Sequence, residues 1–198
     1  TFGYSASSVT IFTVISQITS MLFFRVWGAL CDRYSNVSVL KIAGPAMVAV
    51  ALMWAATSAF AGSDLVAVLI VGIHMISGAA SAGVNLATGN IGLKLAPKDK
   101  ATSYLAATSL FSSVSAGLAP LIGGIAIGFV GGWEYFFVFA FILGLVSLWY
   151  LLKLKEDGNA PNKVVVKELV VELKNTTSPQ NVASKAKSVS DHLLAAFK

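Results

Sequence analysis

Residues 65–93 read LVAVLIVGIHMISGAASAGVNLATGNIGL, with no aspartate, glutamate, lysine or arginine. An α-helix rises about 1.5 Å per residue, so roughly 20 apolar residues cross the hydrocarbon core of a bilayer. This run is therefore long enough to span a membrane as a helix. Its polar and small residues recur at steps of three or four, which places them on one helix face. They are His74, Ser77, Gly78, Ser81, Asn85 and Thr88.

Four more hydrophobic blocks surround this run and predict five spans in all. With the run itself as the third, the blocks are 8–30, 38–61, 65–93, 101–130 and 133–152. The chain of 198 residues is 56% hydrophobic and 12% charged, and its mean hydropathy is +0.78. Soluble domains carry about a quarter charged residues. The composition and the long apolar blocks therefore predict an all-α integral membrane protein and exclude a soluble domain.

The linkers between the blocks alternate in charge. Linkers with lysine or arginine follow the first, third and fifth blocks, and linkers without them follow the second and fourth. Basic linkers stay in the cytoplasm by the positive-inside rule. We therefore expect a multi-pass protein of the plasma or inner membrane, with its N-terminus outside. The transmembrane unit is expected over 1–154 and a cytoplasmic tail over 155–198.

The tail is expected to be partly helical. Valines and charged residues mix over 163–174 in a pattern that fits either a helix or a strand. Ser178 and Pro179 are typical of a helix start, and apolar residues recur at helical spacing over 182–197. Such a tail either keeps the cytoplasmic face soluble or docks on the membrane surface or on a partner.

The end of the first block reads RVWGALCDRY over 25–34. Gly28 lets a neighbouring helix approach closely, Asp32 can take the positive end of that helix's dipole or pair with a cation, and Arg33 can anchor the loop at the headgroups. This stretch resembles the G-x-L-x-D-R loop of the major facilitator superfamily of secondary transporters. The family pattern usually continues with a glycine and basic residues, which are absent here, so only Gly28, Asp32 and Arg33 carry over. The resemblance implies that these three residues form a cytoplasmic gate motif, which would steady the cytoplasmic side when it is closed. The other interpretation is that the two charges merely reach the headgroups.

The fourth and fifth blocks extend the resemblance over 8–154. SAGLAPLIGG at 115–124 and GGWEYFF at 131–137 resemble the glycine- and proline-rich fifth helix and the apolar sixth helix of a six-helix half. The resemblance implies five of those six helices and a fourth block that can bend. The residues that would permit bending are Gly117, Pro120, Gly123 and Gly124. The C-terminal half is favoured because the third block has no arginine; the first half, with the tail as a central loop, is the alternative.

His74 is the only ionisable residue deep in any block, so we expect it near the middle of the membrane. An imidazole there can bind substrate or relay a proton, or it can hydrogen-bond to a neighbouring helix. The first block carries its own polar stripe, and polar stripes in lipid must face protein or water. The candidates for the substrate cavity are Thr13, Gln17, His74, Ser81 and Asn85. For the two amide side chains, interhelical hydrogen bonding is the alternative.

The motifs that the sequence lacks exclude several functions. Without a phosphate-binding loop or a hydrolase motif, we expect no enzyme and no cofactor. The single Cys31 offers no thiol pair for a metal, and the basic residues form no nucleic-acid face. The resemblance implies a small-molecule substrate, a coupling proton or ion where transport is coupled, the lipid bilayer and the missing half of the carrier as partners. Secondary transport by alternating access is predicted; the alternative is a non-transporting scaffold or receptor that acts through its tail.

Overall fold

The computed structural model describes residues 4–63 and 65–178, and every regular element in them is helical. The helices are α1 (Ala6–Arg33), α2 (Asn36–Ala56), α3 (Leu65–Leu95), α4 (Ala101–Val130), α5 (Trp133–Lys153) and α6 (Asn162–Thr177), and a short 3-10 turn, Thr57–Phe60, extends α2. Helices α1 to α5 are long and apolar enough to cross a membrane. The prediction of an all-α membrane protein with five spans is confirmed.

Capping residues, and not hydropathy, set the first residues of α1 and α2. Ser5 caps α1 by accepting the N–H of Ser8 at 3.3 Å, and Ser35 caps α2 by accepting the N–H of Ser38 at 3.0 Å. Both helices therefore begin before the hydrophobic blocks, and α1 also continues to Arg33. Hydropathy detects only the part of a helix that lies in lipid, so the predicted ends fall short by a few residues.

Helix α6 covers the part of the tail whose pattern fits either a helix or a strand. Val165, Leu169 and Leu173 recur every four residues and face the protein, with Val165 fully buried and both leucines partly buried. A strand would place Lys167 on that same face, whereas a helix turns Lys167 away to solvent. The helix is therefore the form that buries this stripe without burying a charge. The further helix predicted over 182–197 lies outside the described residues.

Small residues bring α1 and α3 into close contact. Trp27 of α1 donates its indole N–H to the carbonyl oxygen of Ala79 on α3 at 2.8 Å. Gly78 lies against the backbone of Ser16, and Gly83 lies against the indole ring of Trp27. Helices associate in lipid by this kind of packing, because lipid tails provide no hydrophobic force between helices. Helices α1 and α3 are therefore closely packed.

The other spans contact α3 or one another and make few contacts with α1. Helix α2 lies between α3 and α5. Gly44 and Gly144 form the α2–α5 contact, where an added Cβ would lie 3.2 Å from Leu148 and 2.8 Å from Val48 respectively. Helix α4 makes few contacts with the other described helices, and neither α4 nor α5 buries a described residue. Their large apolar side chains suit lipid or further helices.

Candidate functional site

The cavity candidates other than His74 are divided between two helices. Thr13 and Gln17 are exposed on α1, and Asn85 is exposed on α3 near the half-buried Ser81. The hydroxyls of Thr13 and Ser81 donate to carbonyl oxygens of their own helices at 3.0 and 3.1 Å. Among the described residues, no hydrogen bond joins the α1 candidates to those of α3. Their role in binding a solute stays a prediction.

His74 lies in an aromatic cluster. Its ring stacks on Phe12 of α1, with the centroids 5.7 Å apart, and stands perpendicular to Trp54 of α2 at 5.8 Å. Trp54 in turn stacks on Phe137 of α5 at 5.9 Å. Aromatic pairs of this kind contribute about 0.5–1.5 kcal/mol each beyond their buried area. In the described part of the chain His74 makes no hydrogen bond, so its contact with neighbouring helices is made by the ring.

The glycines and the proline of α4 lie in one continuous helix. Pro120 is inside it, and no break in the helix occurs there. An added Cβ on Gly123 would lie 3.3 Å from the ring of Phe136, whereas one on Gly117 or Gly124 would meet no described atom within 4 Å. Proline removes one backbone hydrogen bond, so α4 has a weak point at this position. Bending during function stays a prediction.

The motif residues lie at what we call the basic end of the bundle, the end at which α1 and α3 finish and α2 begins. Gly28 faces Leu86 of α3, and an added Cβ would lie 3.9 Å from it. Asp32 is exposed and lines a cleft of about 390 Å³ together with Asn90 and Lys94. It forms no hydrogen bond or ion pair with any described residue. Within residues 4–63 and 65–178, the carboxylate of Asp32 is therefore left without a partner, which we call uncommitted.

Arg33, the next residue, is bound by the tail. Its Nη1 donates to Oε2 of Glu168 on α6 at 2.6 Å. The arginine side chain is 57% exposed and the glutamate 26%, so water screens the pair and it adds little stability by itself. Its effect is geometric, because it fixes the direction in which the guanidinium points.

Glu156, in the linker after α5, caps the beginning of α2. Its Oε2 accepts a hydrogen bond from the backbone N–H of Val37 at 2.8 Å. Its Oε1 accepts hydrogen bonds from Nδ2 of Asn36 at 2.9 Å and from Nζ of Lys94 at 2.5 Å. Burial alone would raise the pKa of Glu156, but the hydrogen bonds from Lys94, Val37 and Asn36 hold it below its ordinary value. A carboxylate at the positive end of α2 thus ties α2 to α3 and to the chain after α5.

Glu156 is a residue that the sequence reasoning missed. Asp32 was expected to meet the positive end of a neighbouring helix or a cation, and the carboxylate at the N-terminus of α2 is that of Glu156. The available signal was position: Glu156 is the first acidic residue after the fifth block and follows Lys153 and Lys155 at the same boundary. A carboxylate beside the apolar part of a membrane is stabilised by a cation or by a helix N-terminus. Lys94 and the N-terminus of α2 both lie at the basic end and supply these contacts to Glu156.

Metal binding finds no support in the described part of the chain. No three histidine, cysteine or acidic side chains come together there as they would in a metal site. Apart from His74, the cavity candidates on α1 and α3 carry hydroxyls and amides, which form hydrogen bonds.

Comparison with known proteins identifies the family. A family model described as the Major Facilitator Superfamily matches residues 1–197. No curated protein and no solved structure matches the chain significantly. Members of this family are transporters of small molecules in lipid bilayers and are not enzymes. Because the match covers almost the whole chain and five apolar helices agree with it, the chain belongs to the major facilitator superfamily of multi-pass membrane transporters.

Proposed function

We propose that this chain is the C-terminal half of a secondary carrier that moves a small solute by alternating access. One observation carries the proposal. The turn between Arg33 at the end of α1 and Asn36 at the beginning of α2, which we call the motif turn, is held at the basic end by Glu156 and Glu168, while Asp32 beside it has no partner among the described residues. A fixed turn with one uncommitted carboxylate suits a contact that forms in one state of a carrier and breaks in the other. In such carriers two halves rock around a solute site near the middle of the bilayer.

A groove between α3 and α5 supports the proposal that a sixth helix completes this half. These two helices make little contact with each other. Between them and α2 lies an open, mainly apolar groove of about 600 Å³, with Val84, Met47 and Leu148 among its lining residues. A transmembrane helix with small or apolar side chains suits such a groove. The exposed face of α4 is proposed to meet the other half.

We assign the basic end of the bundle to the cytoplasm and the opposite end to the outside. Arg33, Lys41 and Lys94 lie at the basic end, as the positive-inside rule requires of cytoplasmic loops. At the end of α5 the ammonium of Lys153 lies over the ring of Trp149, 3.3 Å from its centroid. Tryptophan and lysine at the end of a span are typical of the headgroup level, which supports this depth.

The solute pathway in this proposal runs along α1 and α3. The exposed amides of Gln17 and Asn85 would hydrogen-bond the solute, with the hydroxyls of Thr13 and Ser81 beside them. No aspartate or glutamate lies deep in a span, so a coupling proton would use His74 or the other half. In the structure the His74 ring lies against Phe12 and Trp54.

Asp32→Asn is expected to reduce solute uptake about tenfold without reducing membrane insertion, because the amide cannot supply the charge that we assign to the gate. Uptake is measured in proteoliposomes that contain the complete carrier, this half together with the other half, after a panel of sugars, amino acids, organic anions and drugs has identified a transported solute. Asp157→Asn is the matched control, since Asp157 is exposed and makes no hydrogen bond or ion pair with a described residue. Unaltered uptake in Asp32→Asn would count against the gate role, and a panel without any transported solute would count against the carrier.

A further inference from the structure

The chain after α5 holds the turn between α1 and α2 from both sides. Val165 of α6 is fully buried in one cluster with Val26 and Leu30, near the end of α1. On the other side, the hydroxyl of Ser35, the cap of α2, donates to Oδ1 of Asn159 at 2.9 Å. The end of α1 and the beginning of α2 are therefore both bound by residues of the tail.

Gly158 shows how closely the linker fits this turn. Its φ is +83°, and an added Cβ would lie 2.5 Å from the carbonyl oxygen of Tyr34. Glycine alone adopts this backbone without strain and leaves room for that oxygen. Two residues later the N–H of Ala160 donates to the hydroxyl of Ser38 at 3.0 Å. The linker thus guides α6 onto the end of α1 in one defined position.

Both ion pairs found within the described residues join this tail segment to the ends of spans. They are Arg33 with Glu168 and Lys94 with Glu156. Asp32 is next to Arg33 in sequence, but consecutive residues of a helix do not face each other, so Arg33 pairs with α6 instead. Glu172, four residues beyond Glu168 on the same helix, pairs with no described residue. The contact of Arg33 with Glu168 is therefore selective.

We propose that α6 is a clamp on the motif turn and that Glu168 is the positioning residue that holds Arg33 in it. The clamp directs Arg33 to α6 and leaves Asp32 exposed beside it. Loss of the pair frees the guanidinium to meet other acidic groups and loosens the end of α1. That the motif turn is a cytoplasmic gate rests on the proposed function. The clamp rests only on the contacts of α6 and its linker with the end of α1 and the beginning of α2.

Cys31 reports on the clamp directly. It is the single cysteine of the chain, lies two residues before Arg33, and is only 7% exposed in the cluster that contains Val165. The rate of its labelling by N-ethylmaleimide is measured in the intact protein, relative to full labelling in denaturant. Glu168→Arg places two cations together and is expected to raise the labelling rate about fivefold, the upper end of what an exposed ion pair contributes. Glu168→Gln is expected to give a smaller increase in the same direction.

Two controls make the result specific. Glu172→Arg adds the same charge to α6 and is expected to label like the unaltered protein. Arg33→Glu combined with Glu168→Arg restores an opposite-charge pair and is expected to restore slow labelling. Unchanged labelling in both Glu168 variants, equal acceleration in Glu172→Arg, or no restoration in the double variant would each overturn the clamp. Labelling requires no transport, so failure of the carrier proposal in the uptake assay leaves this result unaffected.

Discussion

Gly78→Val is expected to lower the free energy of unfolding by about 3 kcal/mol, because the new side chain has no space between α1 and α3. An added Cβ at Gly78 would overlap the carbonyl oxygen of Ser16 and lie 3.0 Å from its carbonyl carbon. These are backbone atoms of a helix, so they cannot rotate aside as a flexible side chain would. The two helices would have to separate, which would also disturb the indole hydrogen bond from Trp27 to Ala79.

The same helix supplies the controls for this substitution. Gly72 and Gly89 lie on α3 on either side of Gly78, and an added Cβ at either position would meet nothing within 4 Å. Gly72→Val and Gly89→Val are expected to change stability by less than about 1 kcal/mol, since valine is no poorer a helix former than glycine. Unfolding of the intact protein in detergent, by heat or by added dodecyl sulfate, provides the comparison. A Gly78 variant as stable as the two controls would contradict the close α1–α3 contact.

The position of Gly78 also shows what the polar stripe of the third span does. His74 and Gly78 are four residues apart on one face, and both contact α1, through Phe12 and Ser16 respectively. Asn85, farther along the same stripe, is exposed. One part of the stripe therefore packs against a helix, and only the other part remains for a solute. Polarity in sequence indicates that a face avoids lipid, but it does not say which neighbour covers that face.

The five spans could be predicted because a single physical requirement fixes them. Crossing the hydrocarbon core takes about 20 apolar residues, and each block meets that length on its own. Helix ends depend on local caps as well, which is why α1 and α2 begin earlier than their blocks. The first turn of α2 was within reach of sequence reasoning, since Ser35 precedes it and serine is a favoured N-cap.

The contacts at the basic end could not be predicted in the same way. Arg33 and Glu168 lie 135 residues apart, and Val37 and Glu156 lie 119 apart. No periodicity links residues at such separations, because the fold and not the local chain brings them together. Helix α6 is a further case: its valines satisfy two patterns, and only the buried cluster at the end of α1 decides between them.

Glu156→Gln is expected to lower the free energy of unfolding at neutral pH by about 2 kcal/mol, within the range for hydrogen bonds to a charged group. The carboxylate accepts three hydrogen bonds, from Val37, Asn36 and Lys94. The glutamine amide has one acceptor oxygen, and its NH₂ would face groups that can only donate. The Lys94 side chain is 63% exposed, so most of the loss comes from the start of α2 and little from the ion pair. Asp157→Asn, which changes the neighbouring exposed carboxylate, is expected to leave stability unchanged.

The pH dependence gives this prediction a second, independent measurement. The pKa of Glu156 lies below its ordinary value in the folded protein. A depressed carboxyl pKa means that the unfolded chain binds the proton more readily, so the group stabilises the fold above its ordinary pKa. That contribution is lost as the pH falls through the lower pKa of the folded state. The stability difference between the unaltered protein and Glu156→Gln should therefore be full at neutral pH and should narrow in acid. If the stability difference stays constant from neutral to acid pH, the glutamine acts through packing alone. In that case the negative charge of Glu156 at the N-terminus of α2 is not what joins α2, α3 and the linker.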